Sequence, residues 1–152
     1  MAYGEGADPR TATLKDGAYV YGPGKLLTMD GTNNTLDLTA ATEICIGVSA
    51  GEGSRDAALA YDATGATVSY YPLGGVLMVQ SAASAEYTVG CTVYVGADGL
   101  ATATAGSNKK LGLYVGGGET AGALGPNGAG DSAAATSEGD LIAVMTAGAA
   151  IA

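Results

Sequence analysis

Gly90-Cys91-Thr92-Val93-Tyr94-Val95-Gly96-Ala97-Asp98-Gly99 is the stretch on which the fold turns. Its centre is rich in Val, Thr and Tyr, the residue types that suit a pleated, half-buried strand. Asp98-Gly99 then supplies turn chemistry, and Leu100 to Thr104 returns. A closely similar cadence occurs earlier, in Gly24-Lys25-Leu26-Leu27-Thr28-Met29-Asp30-Gly31. Gly24 precedes Gly90 by 66 residues and Asp30 precedes Asp98 by 68. Gly47, in Ile46-Gly47-Val48, precedes Gly112, in Leu111-Gly112-Leu113, by 65. Val79, in Gly75 to Val79, precedes Val144, in Asp140 to Val144, by the same 65. Landmarks this far apart that hold one offset to within a few residues point to a duplicated β-unit.

Outward from these landmarks the chain reads as short strands punctuated by turns. Ala18 to Met29 is strand-like but is broken by Gly22-Pro23-Gly24. Glu43 to Val48, Ala66 to Tyr71, Gly75 to Ser81, Tyr87 to Val95, Leu111 to Val115 and Leu141 to Met145 are further strands, and Pro72 ends one of them. Arg55 to Tyr61 is the best helical candidate, at one turn or so. Helical periodicity is nowhere sustained, so the expected class is mainly β: a duplicated small β-unit forming a compact barrel or sandwich, with at most short helical turns. The expected organisation is an extended N-terminal arm over residues 1–17, a first unit over 18–85 and a second over 86–152, the two sharing one core. Units this small and this poor in large apolar side chains bury little surface alone. Self-association is expected to add stability.

The chain has 152 residues and a formal net charge of −9, with only six Lys and Arg, no His, no Trp and no Phe. An acidic surface repels phosphate backbones, which argues against a nucleic-acid partner. The longest apolar run, Leu141 to Ala152, is too short to span a bilayer, and Met1 to Arg10 lacks a secretory-signal pattern. Cys45 and Cys91 leave two readings open, a pair of free thiols or one disulfide.

Without His, Ser-His and Cys-His nucleophilic pairs are ruled out. Carboxylates such as Asp30, Asp37, Glu43, Asp98 and Asp140 fall at turns or strand starts, where turn chemistry and solubility account for them. Gly22-Pro23-Gly24-Lys25 lacks the hydroxyl residue of a phosphate loop, and Pro23 removes an amide donor. Gly128 to Asp131 and Asp30 to Asp37 are the nearest approach to a calcium loop, and neither has the required ligand spacing. No catalytic residue, cofactor or metal site is therefore expected. Tyr3, Asp8, Pro9 and Arg10, in the arm, are the candidate interface residues, since an aromatic anchor in an otherwise small, polar segment suits partner binding.

Tyr87 to Gly99, then Lys110-Leu111-Gly112-Leu113, then Gly139 to Val144 resemble the capsid cement, or head decoration, proteins of tailed phages. Gly24 to Met29 followed by Ile46-Gly47-Val48 is similar to strands of the lambda-type decoration proteins. The resemblance implies a β-rich virion protein, often a homotrimer, that binds the major capsid protein on the outer surface of the assembled head and stabilises it. It implies no enzymatic activity. The alternative is a secreted or fibre-associated β-rich adhesin module binding carbohydrate or calcium.

Overall fold

The computed structural model describes residues 9–31, 34–54, 67–116 and 136–146. Its strands are β1 (Arg10–Thr13), β2 (Tyr19–Val20), β3 (Leu26–Asp30), β4 (Thr35–Leu38), β5 (Gly47–Ser49), β6 (Gly53–Ser54), β7 (Thr67–Pro72), β8 (Val76–Gln80), β9 (Thr92–Val95), β10 (Ala101–Thr102), β11 (Lys110–Tyr114) and β12 (Leu141–Met145). One 3-10 turn, Ala97–Gly99, joins β9 to β10. The protein is mainly β, as the strand cadence predicts. The Arg55 to Tyr61 helical candidate lies outside the described residues.

Two five-stranded sheets carry the fold, one ordered β1-β7-β5-β3-β4 and the other β8-β12-β11-β9-β10, with β2 and β6 forming a small third sheet. Every pairing within them is antiparallel. Numbered within its own unit, each large sheet has the order 1-5-4-2-3. One unit thus runs from β1 to β7 and the other from β8 to β12, with β2 and β6 as additions to the first.

The repeat extends to single hydrogen bonds. Gly24 N–H donates to the Ser49 carbonyl (2.9 Å) and Ser49 N–H to the Lys25 carbonyl (2.8 Å). In the second unit Gly90 N–H donates to the Tyr114 carbonyl (2.8 Å) and Tyr114 N–H to the Cys91 carbonyl (2.9 Å). A single parallel bridge joins Leu14 to Leu36 in one sheet and Ser81 to Ala101 in the other. Each sheet curls so that its first strand ends beside its far edge, but no continuous ladder closes it. The arrangement is sandwich-like rather than a closed barrel.

Strand order corrects three expectations. First, Gly75 to Val79 is not the copy of Asp140 to Val144; β8 and β12 are neighbours, with Val79 opposite Ile142. Two adjacent apolar strands of one sheet share a composition, and that likeness mimics duplication. Secondly, β8 opens the second unit, so the boundary drawn between 85 and 86 falls between Pro72 and Val76. Thirdly, the arm expected over 1–17 includes a strand, with Arg10 to Thr13 opposite Tyr70 to Thr67. Ala12 and Leu14 point the same way along β1, and both pack into the first unit's core. Residues 1–8 lie outside the described set.

The core has two parts. Leu14, Ala18, Val20, Leu27, Leu36 and Val68 form a cluster within the first unit. A larger cluster draws Leu26, Cys45 and Val48 from the first unit and Leu77, Val79, Tyr87, Val93, Leu111, Tyr114 and Ile142 from the second. Successive strand residues point to opposite faces. Leu26 and Leu27 of β3 therefore feed different clusters, and β3 holds the units together.

Candidate functional site

The units meet where two glycines allow close approach. Gly24 has φ +93°, and a Cβ there would come within 2.9 Å of Leu141 Cδ2 and 3.2 Å of the Gln80 backbone nitrogen. Gly99 has φ +69°, and a Cβ there would lie 2.9 Å from the Leu26 carbonyl oxygen. Both positions need a backbone that side-chain-bearing residues rarely adopt. The contact is sealed by Gln80 N–H donating to the Gly24 carbonyl (2.7 Å) and Gly99 N–H to the Thr39 carbonyl (3.1 Å).

At this junction lies a cleft of about 430 Å3 lined by Tyr21, Lys25, Leu38, Gln80, Asp98, Glu138 and Gly139. Lys25 is buried, with 6% of its surface exposed. Its backbone N–H donates to Ser49 Oγ (2.9 Å), and its ammonium donates to the Asp98 backbone carbonyl (3.1 Å). Burial lowers the Lys25 pKa below its usual value, opposed by the charges of Glu138 and Asp98. The ammonium also lies 5.9 Å from the centre of the Tyr21 ring, near the limit for cation–π attraction.

Tyr21 is 61% exposed. Its ring meets that of Tyr19 edge-on, centres 4.0 Å apart, and the Tyr19 hydroxyl donates to Glu52 Oε1 (2.7 Å). Gln80 Nε2 donates to the carbonyls of Tyr21 (3.1 Å) and Pro23 (2.7 Å). The loop bearing the ring is thus pinned to β8, and Gln80 Oε1 remains as an acceptor. Asp98 and Glu138 are exposed at the rim.

The interface residues picked from sequence are elsewhere. Pro9 and Arg10 are exposed at the start of β1, on the first sheet's edge, whereas Tyr3 and Asp8 lie outside the described residues. In the sequence Gly22-Pro23-Gly24-Lys25 signals only a turn and Asp98 only a turn acid, so neither reveals the cleft. One signal was present: a lysine directly opens the apolar run of β3, while Cys91 stands at the matching point of the second unit.

Cys45 is buried and Cys91 half-buried, and both are free thiols. Burial pushes the Cys45 thiol up to about 12, against backbone hydrogen bonds from Gly47 and Leu27 that favour the thiolate. Such a thiol is an inert core residue. Tyr87 is also pushed up to about 12, chiefly by burial. Its hydroxyl lies 2.8 Å from Ser81 Oγ, which lies 3.1 Å from Thr136 Oγ1. That buried chain staples the start of β12's approach to the end of β8. Among the described residues no group of three or more Asp, Glu or Cys is placed to hold a metal ion; Gly128 to Asp131 lies outside them. No known family model matches the chain, and no curated protein does.

Proposed function

We propose that this chain is a structural virion protein, a decoration or cement protein that binds the outer surface of an assembled phage head and stabilises it. The observation that supports the reading is the twice-used 1-5-4-2-3 sheet, because β3, β5, β9, β11 and β12 carry the stretches whose sequence resembles head decoration proteins. A protein that binds only the assembled shell stabilises that state by linkage, and many copies multiply a modest affinity per site. The partner is the major capsid protein, and the chain associates with itself as a homotrimer. A net charge of −9 keeps densely displayed copies soluble and off the packaged nucleic acid.

The test is co-sedimentation with empty shells made from the coat protein of the same genome, in compact and expanded form, alongside the solution mass. Binding to expanded shells alone, by a species three times the chain mass, supports the reading. No binding to either form rejects it. Deleting residues 1–8, which leaves Pro9 and β1 in place, is expected to weaken binding without loss of the β circular-dichroism signal. Undiminished binding would reject a role for Tyr3 and Asp8.

A further inference from the structure

We infer that the cleft between the two units is a saccharide-binding site, with the Tyr21 ring as its stacking platform. This goes beyond shell decoration and does not depend on it. Three observations converge. The cleft volume of about 430 Å3 falls in the range of small-ligand sites. Its wall is an exposed aromatic ring, held in place by Tyr19 and by the two Gln80 hydrogen bonds. Its floor carries a buried ammonium with one proton committed to the Asp98 carbonyl, so two remain for a ligand.

The charge pattern selects among ligands. Two rim carboxylates against one ammonium leave the cleft with net negative charge, which repels an anion. A cation would meet Lys25 on the floor. A neutral polyhydroxylated ligand meets neither objection. Its hydroxyls donate to Asp98, Glu138 and Gln80 Oε1 and accept from Lys25, while its C–H face covers Tyr21. The platform is preorganised, which lowers the entropy cost of binding. Among the described residues the equivalent place in the second unit lacks the ammonium, because Cys91 replaces Lys25 and the buried Tyr114 replaces Ser49.

The experiment is an amide NMR titration of the full chain with the methyl glycosides of glucose, galactose, mannose and N-acetylglucosamine, with maltose and lactose, and with arginine amide and acetate for comparison. The expected result is saturable shifts at Tyr21, Gln80, Asp98 and Gly139 with at least one saccharide. Tyr21→Ala is expected to weaken that binding about fivefold to tenfold, the worth of one aromatic contact. Tyr21→Phe should retain it, Glu138→Gln should weaken it several-fold, and Lys15→Ala should leave it unchanged. Because Tyr21 and Glu138 are exposed, these variants keep the fold. The inference is overturned if no saccharide shifts the cleft amides, if Tyr21→Ala binds as well as the parent chain, or if only arginine amide or acetate binds there. None of these outcomes bears on shell binding, which the sedimentation test reads separately.

Discussion

The first and second units have the same strand order and hydrogen-bond partners at matching positions, yet opposite interiors where those bonds form. Gly24, Lys25 and Ser49 correspond to Gly90, Cys91 and Tyr114. In the first unit this corner is polar: Ser49 Oγ accepts from Lys25 N–H and donates to the Gly22 carbonyl (2.8 Å). In the second it is apolar: Tyr114 is fully buried, 5.4 Å from the Tyr87 ring centre to centre. The fold is thus set by strand alternation and turn glycines, while side chains at matched points are free to diverge. The polar corner of the first unit borders the cleft between the units, while the matching corner of the second is filled by packed tyrosine rings.

Exchanging that corner should give the largest effect. Tyr114→Ala is expected to cost about 3–5 kcal/mol, as for other large buried aromatic groups. Ser49→Ala should cost about 1–3 kcal/mol, because it leaves the buried Lys25 N–H without its acceptor. Urea unfolding curves of the two variants measure the difference, and equal losses would break the contrast. The next test uses a feature that the units share. Gly47 and Gly112 match, and each lies against its neighbouring strand: Gly47 against the Tyr71 carbonyl and the Tyr70 ring, Gly112 against the Met145 carbonyl and Val144. Gly112→Ala is expected to cost about 3 kcal/mol and Gly47→Ala about 1–2. Both added methyl groups meet a backbone carbonyl that cannot move aside, but the second obstacle differs: the half-buried Tyr70 ring beside Gly47 can turn in part, whereas the buried Val144 beside Gly112 cannot.

A smaller, graded effect follows from pH. Cys45 and Tyr87, both in the larger cluster, have pKa values raised to about 12. Below pH ~7.5 both groups are protonated in folded and unfolded chains alike, so their contribution is fully present. As pH rises toward 12 the unfolded chain sheds these protons first. Stability then falls, by about 1 kcal/mol per pH unit for each group. Cys45→Val should make the fall shallower in urea midpoints taken between pH 8 and 11. Lys25 acts in the opposite sense, since its lowered pKa favours folding as pH climbs toward 10.5. Lys25→Met should therefore steepen the alkaline loss. The smallest effect belongs to the exposed Lys15–Asp37 ion pair, 3.2 Å apart. Solvent screens such pairs, and Lys15→Ala is expected to leave the urea midpoint within error.

What could be read in the sequence follows the same division. β3, β9 and β11 were legible because large β-formers bounded by glycine or Asp-Gly give strong local signals. The turn at Gly22-Pro23-Gly24 was legible for the same reason. β1 was not, since only Ala12 and Leu14 mark its buried face and its pairing with β7 is a long-range choice. The unit boundary was misplaced because β8 and β12 resemble each other as neighbours, not as copies. The cleft was hidden for a further reason: Tyr21, Gln80 and Glu138 are far apart in sequence, and each alone is an ordinary surface residue.

The pairing of first strand with last, β1 with β7 and β8 with β12, governs the order in which the chain can become structured as it is synthesised. Hairpins β3–β4 and β9–β10 can form as soon as they emerge. Neither sheet is complete until its final strand arrives to lie between strands made long before. Such dependence on distant partners slows folding. It leaves the edge of β1 unsatisfied on the nascent chain until residue 70 has appeared, so chaperone capture and premature pairing between neighbouring nascent chains are concentrated in that interval.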